Sequence, residues 1–107
     1  VVTTVESIFY ANRDLLVGLV KSHKMPSLFA VNYFVQVGGL MSYDADRDVL
    51  TGRTANFVDK LLKGAKPGDL PIEQPAVFDI AINTGTARSL GITIPPAILA
   101  RATELIE

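Results

Sequence analysis

Cysteine is absent from this 107-residue chain. Disulfides, thiolate metal sites and a cysteine nucleophile are thereby excluded. Histidine occurs once, at His23, which rules out metal centres built on several imidazoles. A Ser-His-Asp machine would need that one histidine, and no G-x-S-x-G elbow accompanies it. His23 reads instead as a cation closing a helix at its negative end. Runs of one charge are also missing. Ten basic residues are scattered and the net charge is -1, so the footprint that holds nucleic-acid phosphates is lacking. An anionic membrane surface would need a basic cluster too. No apolar run approaches the ~20 residues of a membrane span.

Hydrophobic residues make up 49% and charged residues 20%. Those values place the chain in the globular range, with room for one core. No signal peptide is visible. The opening Val1-Val2-Thr3-Thr4 reads as the interior of a longer protein from which the N-terminus was removed.

Along the chain, the β-branched run Val1 to Val5 suits a strand, and Glu6 to Ala11 a loop. Asn12 is a fitting N-cap for a helix with Leu15, Leu16, Leu19 and Val20 at helical spacing, stopped by Pro26. Ser27 to Ala30 reads as a buried strand. Asn32 is placed to cap a short helix carrying Phe34, Val35 and Val37, which Gly38-Gly39 ends. Leu40 to Tyr43 follows as a strand. Asp44, Asp46 and Asp48 then crowd a helix start, with Leu50, Ala55, Val58, Leu61 and Leu62 on one face and Gly64 at its end. Three of the six prolines fall in Ala65–Pro75, a connector. Val77 to Ile82 alternates as a strand does. A short helix spans Thr84 to Leu90. Pro95-Pro96 opens a last helix with a stripe of Ile98, Leu99, Ala102, Leu105 and Ile106. The expected order is β-α-β-α-β-α-β-α-α, an α/β fold with a parallel sheet flanked by helices.

Three motifs fall short on inspection. Asp44-Ala45-Asp46-Arg47-Asp48 opens like a calcium loop, but Val49 and Ala55 stand where Gly and Glu are required. Gly64-Ala65-Lys66-Pro67-Gly68 lacks the ending of a phosphate loop. Gly38-Gly39 lacks dinucleotide spacing. No metal, no cofactor and no catalytic constellation is therefore expected.

Three ordered blocks do carry a resemblance. Gly38-Gly39-Leu40-Met41-Ser42-Tyr43 resembles the GGLMSYG signature of ABC-transporter substrate-binding proteins. The stretch from Phe57 to Pro75 is similar to their YVDKILKGAKPADLPVEQP. Ala87 to Pro96, followed by Leu99-Ala100-Arg101-Ala102, is similar to AKALGLTIPPSLLARAD. The chain thus resembles the tryptophan/tyrosine-type solute-binding proteins of the periplasmic binding protein type I fold. Asp44 departs from the pattern, which has Gly there, and Gly52 replaces a large basic residue. Family members have two lobes and are longer, so the resemblance implies a C-terminal portion. It implies a lobe remainder over residues 1–45, a helix and connector over 46–75 that contact the missing lobe, and a returning strand with C-terminal helices over 76–107.

The implied function is capture of a small solute, such as an amino acid, by closure of two lobes, with delivery to an ABC transporter permease. A periplasmic or extracytoplasmic location follows, with or without a lipid anchor on the missing N-terminus. Two rival readings share the sheet: a ligand-sensing domain of a regulator, and a flavodoxin-like enzyme. In open α/β sheets ligands bind outside the carboxyl ends of the strands. Those ends comprise Val5 to Ser7, with Glu6 between them, the segment from Ala30 to Tyr33, and Ser42 to Asp44. Glu6 and Asp44 suit an amino group; Asn32 and Ser42 suit a carboxylate. Tyr10, Tyr33 or Tyr43 suits stacking on an apolar or aromatic body. The bare apolar face of the Asp48–Lys63 helix points to a homodimer of the isolated chain.

Overall fold

A computed structural model describes all of residues 1–107. Its elements in order are α1 (Ser7–Ala11), α2 (Arg13–Ser22), β1 (Leu28–Phe29), α3 (Tyr33–Gln36), β2 (Met41–Ala45) and α4 (Arg47–Leu62). A 3-10 turn at Pro67–Asp69 follows, then β3 (Phe78–Asn83), α5 (Thr84–Ser89), α6 (Pro96–Leu99) and β4 (Glu104–Ile106). The four strands form one sheet in the order β1-β2-β3-β4. β1 and β2 run parallel, as do β3 and β4. Between β2 and β3 the direction reverses, so the sheet is mixed. The Asn83 amide donates to the Leu40 carbonyl, and the Asp46 amide donates to the Val77 carbonyl. As one index rises the other falls, which is an antiparallel register. The expectation of parallel pairing thus holds on either side of this reversal but not across it. A chain that leaves β2 at its end and re-enters at the start of β3 alongside it has to run back the way it came.

The chain divides into two compact units. One comprises residues 1–44 and 79–107, the other residues 45–78. The first contains the core. Phe29, Val35 and Ile82 are fully buried, and Val17, Val31, Phe34, Leu40, Ala81 and Ala87 nearly so. Phe29 and Phe34 stack at 4.8 Å with their planes 3° apart. Each such side chain contributes about 1.5–3 kcal/mol by leaving water. Gly38 adopts φ 107, a left-handed conformation that glycine enters without strain and that ends α3. At Gly39 the limit is space: an added Cβ would lie 2.6 Å from the Phe29 ring and 2.7 Å from the Phe34 carbonyl.

In the second unit Asp46 accepts a hydrogen bond from the Val49 amide at 2.9 Å, capping α4. This is the helix start that the crowded aspartates predict. Arg53 reaches the Gln74 carbonyl at 3.2 Å and lies 3.5 Å from the Glu73 carboxylate. These contacts tie the connector to the helix.

Four local expectations need correction. Residues Val1 to Val5 form no strand beyond a single parallel bridge of Val2 to Leu28. Ser7–Ala11 is a helix rather than a loop, with Phe9 packed against the core cluster; tertiary burial supplies what local propensity does not. Asn12 does not cap α2 with its side chain. Its amide donates to the Ile8 carbonyl at 2.9 Å, closing α1 instead. Finally, the helix begun by Pro96 ends at Leu99, and Glu104–Ile106 is β4, paired in register with Ala81–Asn83. Leu105 and Ile106 therefore belong to a ladder and not to a helical stripe.

Candidate functional site

β1 and β2 are parallel, so their carboxyl ends lie at one edge of the sheet. Because β3 and β4 run the other way, that same edge receives their amino ends. The residues expected to meet a ligand map onto it from several elements. Glu6 precedes α1 in an extended conformation, and its carbonyl accepts from the Tyr10 amide at 3.1 Å. Ser7 begins α1 and is exposed. Asn32 and Tyr33 follow β1 at the start of α3. Tyr43 and Asp44 lie within β2.

The fold brings Tyr10 and Tyr33 together, with ring centroids 5.8 Å apart and planes at 75°. This edge-to-face pair remains 47% and 40% exposed. Aromatic pairs in such geometry are mutually attractive beyond their burial. Arg13 sits over the Tyr10 ring at 5.4 Å from its centroid, and its guanidinium contacts the Tyr10 carbonyl at 3.4 Å. The pair thus presents two partly exposed aromatic rings, one of them beneath a cation. Tyr43 is 45% exposed in β2. Ser42 differs: at 1% exposure it is a core position, so no solvent-borne ligand reaches it in this conformation.

Asn32 does not cap α3 with its side chain. Its amide donates instead to the Glu104 carboxylate at 3.4 Å, across 72 positions of sequence. Glu104 therefore joins the edge at the first residue of β4. Sequence reasoning missed it because that stretch reads as the tail of a helix. Glu104-Leu105-Ile106-Glu107 shows no period-2 alternation, and three residues of strand are too few to separate the two periods.

Two concavities lie elsewhere. One of about 380 Å³ is lined by Arg53, Asn56, Phe57, Lys60 and Glu73. The other, of about 420 Å³, includes Thr84, Arg88, Ile92, Ile94, Leu99 and Glu107. Neither includes a residue of the edge. His23, at the end of α2, has Nδ1 2.8 Å from the Leu19 carbonyl, the place of a helix-closing residue. No group of three or more His, Asp or Glu side chains is arranged to hold a metal ion.

The profile of the ABC transporter substrate binding protein family matches residues 1–106. The chain belongs to that family. It is a family of substrate-binding proteins and not of enzymes. Solved structures agree over nearly the whole chain. An ABC domain in complex with L-Trp from Streptococcus pneumoniae is 31% identical with a TM-score of 0.87, covering 98% of this chain and 36% of that one. A conserved domain protein from Vibrio cholerae is 30% identical with a TM-score of 0.85, covering 97% of this chain and 35% of that one. A ligand-free, open substrate-binding protein with adhesive properties from Clostridium difficile, 18% identical with a TM-score of 0.71, shares the fold; the match covers 98% of this chain and 35% of that one. No curated protein matches. The chain thus spans about a third of the length of these solved chains. No helix is long and apolar enough to cross a membrane.

Proposed function

We infer that this chain is the C-terminal portion of a two-lobed protein that captures a small organic solute, such as an amino acid, for an ABC importer. Residues 1–45 and 76–107 belong to one lobe. Residues 46–75 pack against protein outside this chain. The solute lies on the sheet edge and is enclosed when the lobes close, as ligand-driven hinge closure does in binding proteins. The observation that carries this reading is the exposed Tyr10–Tyr33 pair, at the edge where the parallel strands β1 and β2 have their carboxyl ends. That the similar Streptococcus structure holds L-Trp supports an aromatic or apolar body resting on such a platform.

Residue roles follow from chemistry. Tyr10, Tyr33 and Tyr43 face the apolar body of the solute. Asn32 offers an amide to a carboxylate, and Glu6 and Asp44 offer negative charge to an amino group. The chain contributes no catalytic step. Delivery requires an ABC transporter permease, which places the whole protein outside the cytoplasm, in the periplasm or tethered by a lipid. Ligands in such pockets lose about 70–90% of their surface to the protein, and one wall alone cannot do this.

Calorimetry against the free amino acids tests the reading. The whole protein is expected to bind at least one of them in the micromolar range, and the 107-residue chain weakly or not at all. Failure of the whole protein to bind any, while correctly folded, would sink the proposal.

A further inference from the structure

The two faces of the sheet are covered to different degrees. Parallel bridges pair Val2 with Leu28 and Leu28 with Met41. Bridged residues share a face, and successive residues alternate between faces. Val2, Leu28 and Met41 therefore form one row, and Thr3, Phe29 and Ser42 form the next row on the opposite face. The second row is closed: Thr3 is 9% exposed, Phe29 1% and Ser42 1%. Val17 of α2 and Phe34 of α3 cluster with Phe29 there. The first row is open. Val2 is 76% exposed, and Leu28 and Met41 are only half-buried. All three are apolar, and parallel strands are normally buried on both faces.

The sheet margin is open at the same place. The Leu28 amide donates to the Val1 carbonyl at 2.8 Å, and the Thr3 amide donates to the Leu28 carbonyl at 3.1 Å. These bonds use the residues on either side of Val2, so the Val2 amide and carbonyl point away from β1. β1 ends the order of named strands on that side. An unpaired edge of this kind is a template for another strand. Handedness adds a third constraint. The link from Val1–Thr3 to β1 runs through α1 and α2 and puts α2 on the Phe29 face. Crossovers between parallel strands share one hand. A crossover helix on the Leu28 face therefore belongs to a link that runs the other way, outward from Val1–Thr3.

Building on the reading of the chain as the C-terminal portion of a longer protein, we propose that the Val2–Leu28–Met41 face is the docking surface for one amphipathic helix from the preceding part of that protein. The helix follows a strand that pairs with Val2 and leads to a further strand beyond it. One βαβ unit of about 30 residues or more thereby covers the bare face and closes the open edge. The stripe it lays on the row is apolar, because the row offers no charge to meet a buried polar group. This chain covers 36% and 35% of the similar solved chains from Streptococcus and Vibrio, a difference in length that accommodates such a unit.

The test is made on the whole protein. Val2→Asp is compared with Leu15→Asp, which puts the same carboxylate at a 63% exposed position of α2. Within residues 1–107 both sites are open, and a carboxylate at either would be solvated. A helix seated over Val2 turns Val2→Asp into a buried, unpaired charge. The melting temperature is then expected to fall by about 5 °C or more, while Leu15→Asp stays within about 2 °C. Amide exchange on the unaltered protein needs no variant. The Val2 amide should exchange about a hundredfold or more slower than in an unstructured peptide. Equal shifts from the two substitutions, or a Val2 amide that exchanges at the unstructured rate, would overturn the proposal. So would a whole protein that light scattering shows to be a dimer and that Val2→Asp splits, since a second copy would then cover the face. Failure to bind any amino acid in calorimetry removes the reading of the chain as a solute-binding protein, a result separate from the cover of Val2.

Discussion

The two units of this chain contrast sharply in how they are held together. Every buried residue belongs to the unit of residues 1–44 and 79–107. The unit of residues 45–78 has none, although α4 is the longest helix in the chain. Leu62 is 84% exposed and Ile72 99%. Helices gain most of their stability by packing an apolar face, not from propensity. One unit is thus a small domain with its own core. The other is a capped helix clasped to its connector, with Val58, Leu61 and Leu62 exposed on one face. The lesson is that amphipathic sequence specifies a helix, while its burial partner has to be supplied from outside that segment.

The largest expected effect sharpens this contrast at the level of assembly. The isolated chain is expected to pair two-fold through the α4 face, since contiguous apolar patches of several hundred Å² are rare on monomers. Light scattering at micromolar concentration should give twice the mass of one chain, and Leu61→Glu should return it to one by burying an unpaired carboxylate. A mass of 11.5 kDa across a dilution series would refute it.

Next come paired truncations. Ile82→Ala, at a fully buried position, should cost about 2–5 kcal/mol in denaturant melts. Leu62→Ala should stay within about 0.5 kcal/mol in a monomeric background. Equal costs would erase the contrast. Gly39→Ala follows, at about 1–3 kcal/mol, because its methyl would intrude on the Phe29 ring and the Phe34 carbonyl. Smaller again is Asp46→Ala, which removes the α4 cap and should cost about 1 kcal/mol. Amide exchange at Val49 should rise with it, and unchanged exchange would show the cap to be idle.

Much of the fold was legible where periodicity and punctuation agree. Leu15 to Val20 marks α2, Asp46 marks the start of α4, and Gly38 with Gly39 marks the turn into β2. Elements whose existence depends on distant partners were hidden. Ser7–Ala11 is helical with no side-chain cap at its start, and Phe9 is held by the core. Glu104–Ile106 is a strand because Ala81–Asn83 lies beside it. The reversal between β2 and β3 has no local signal either, since strand direction is a property of the route between strands. At the edge, Tyr10 and Tyr33 are named from the sequence by their place near expected strand ends, and the fold sets their rings 5.8 Å apart. Ser42 looks equivalent by position but is buried while its neighbour Tyr43 is half-exposed, because successive residues of a strand face opposite sides of the sheet. Glu104 required the tertiary contact itself.

The central claim is that the tyrosine edge binds solute instead of merely supporting the fold. Tyr33→Ala in the whole protein tests it most directly, with affinity and melting temperature measured on the same sample. The account predicts that affinity for an aromatic amino acid falls by about tenfold or more, as for loss of an aromatic anchor, while the half-exposed site keeps the melting temperature within about 2–4 °C. Unchanged affinity with a clearly lowered melting temperature would make Tyr33 an ordinary packing residue and contradict the account.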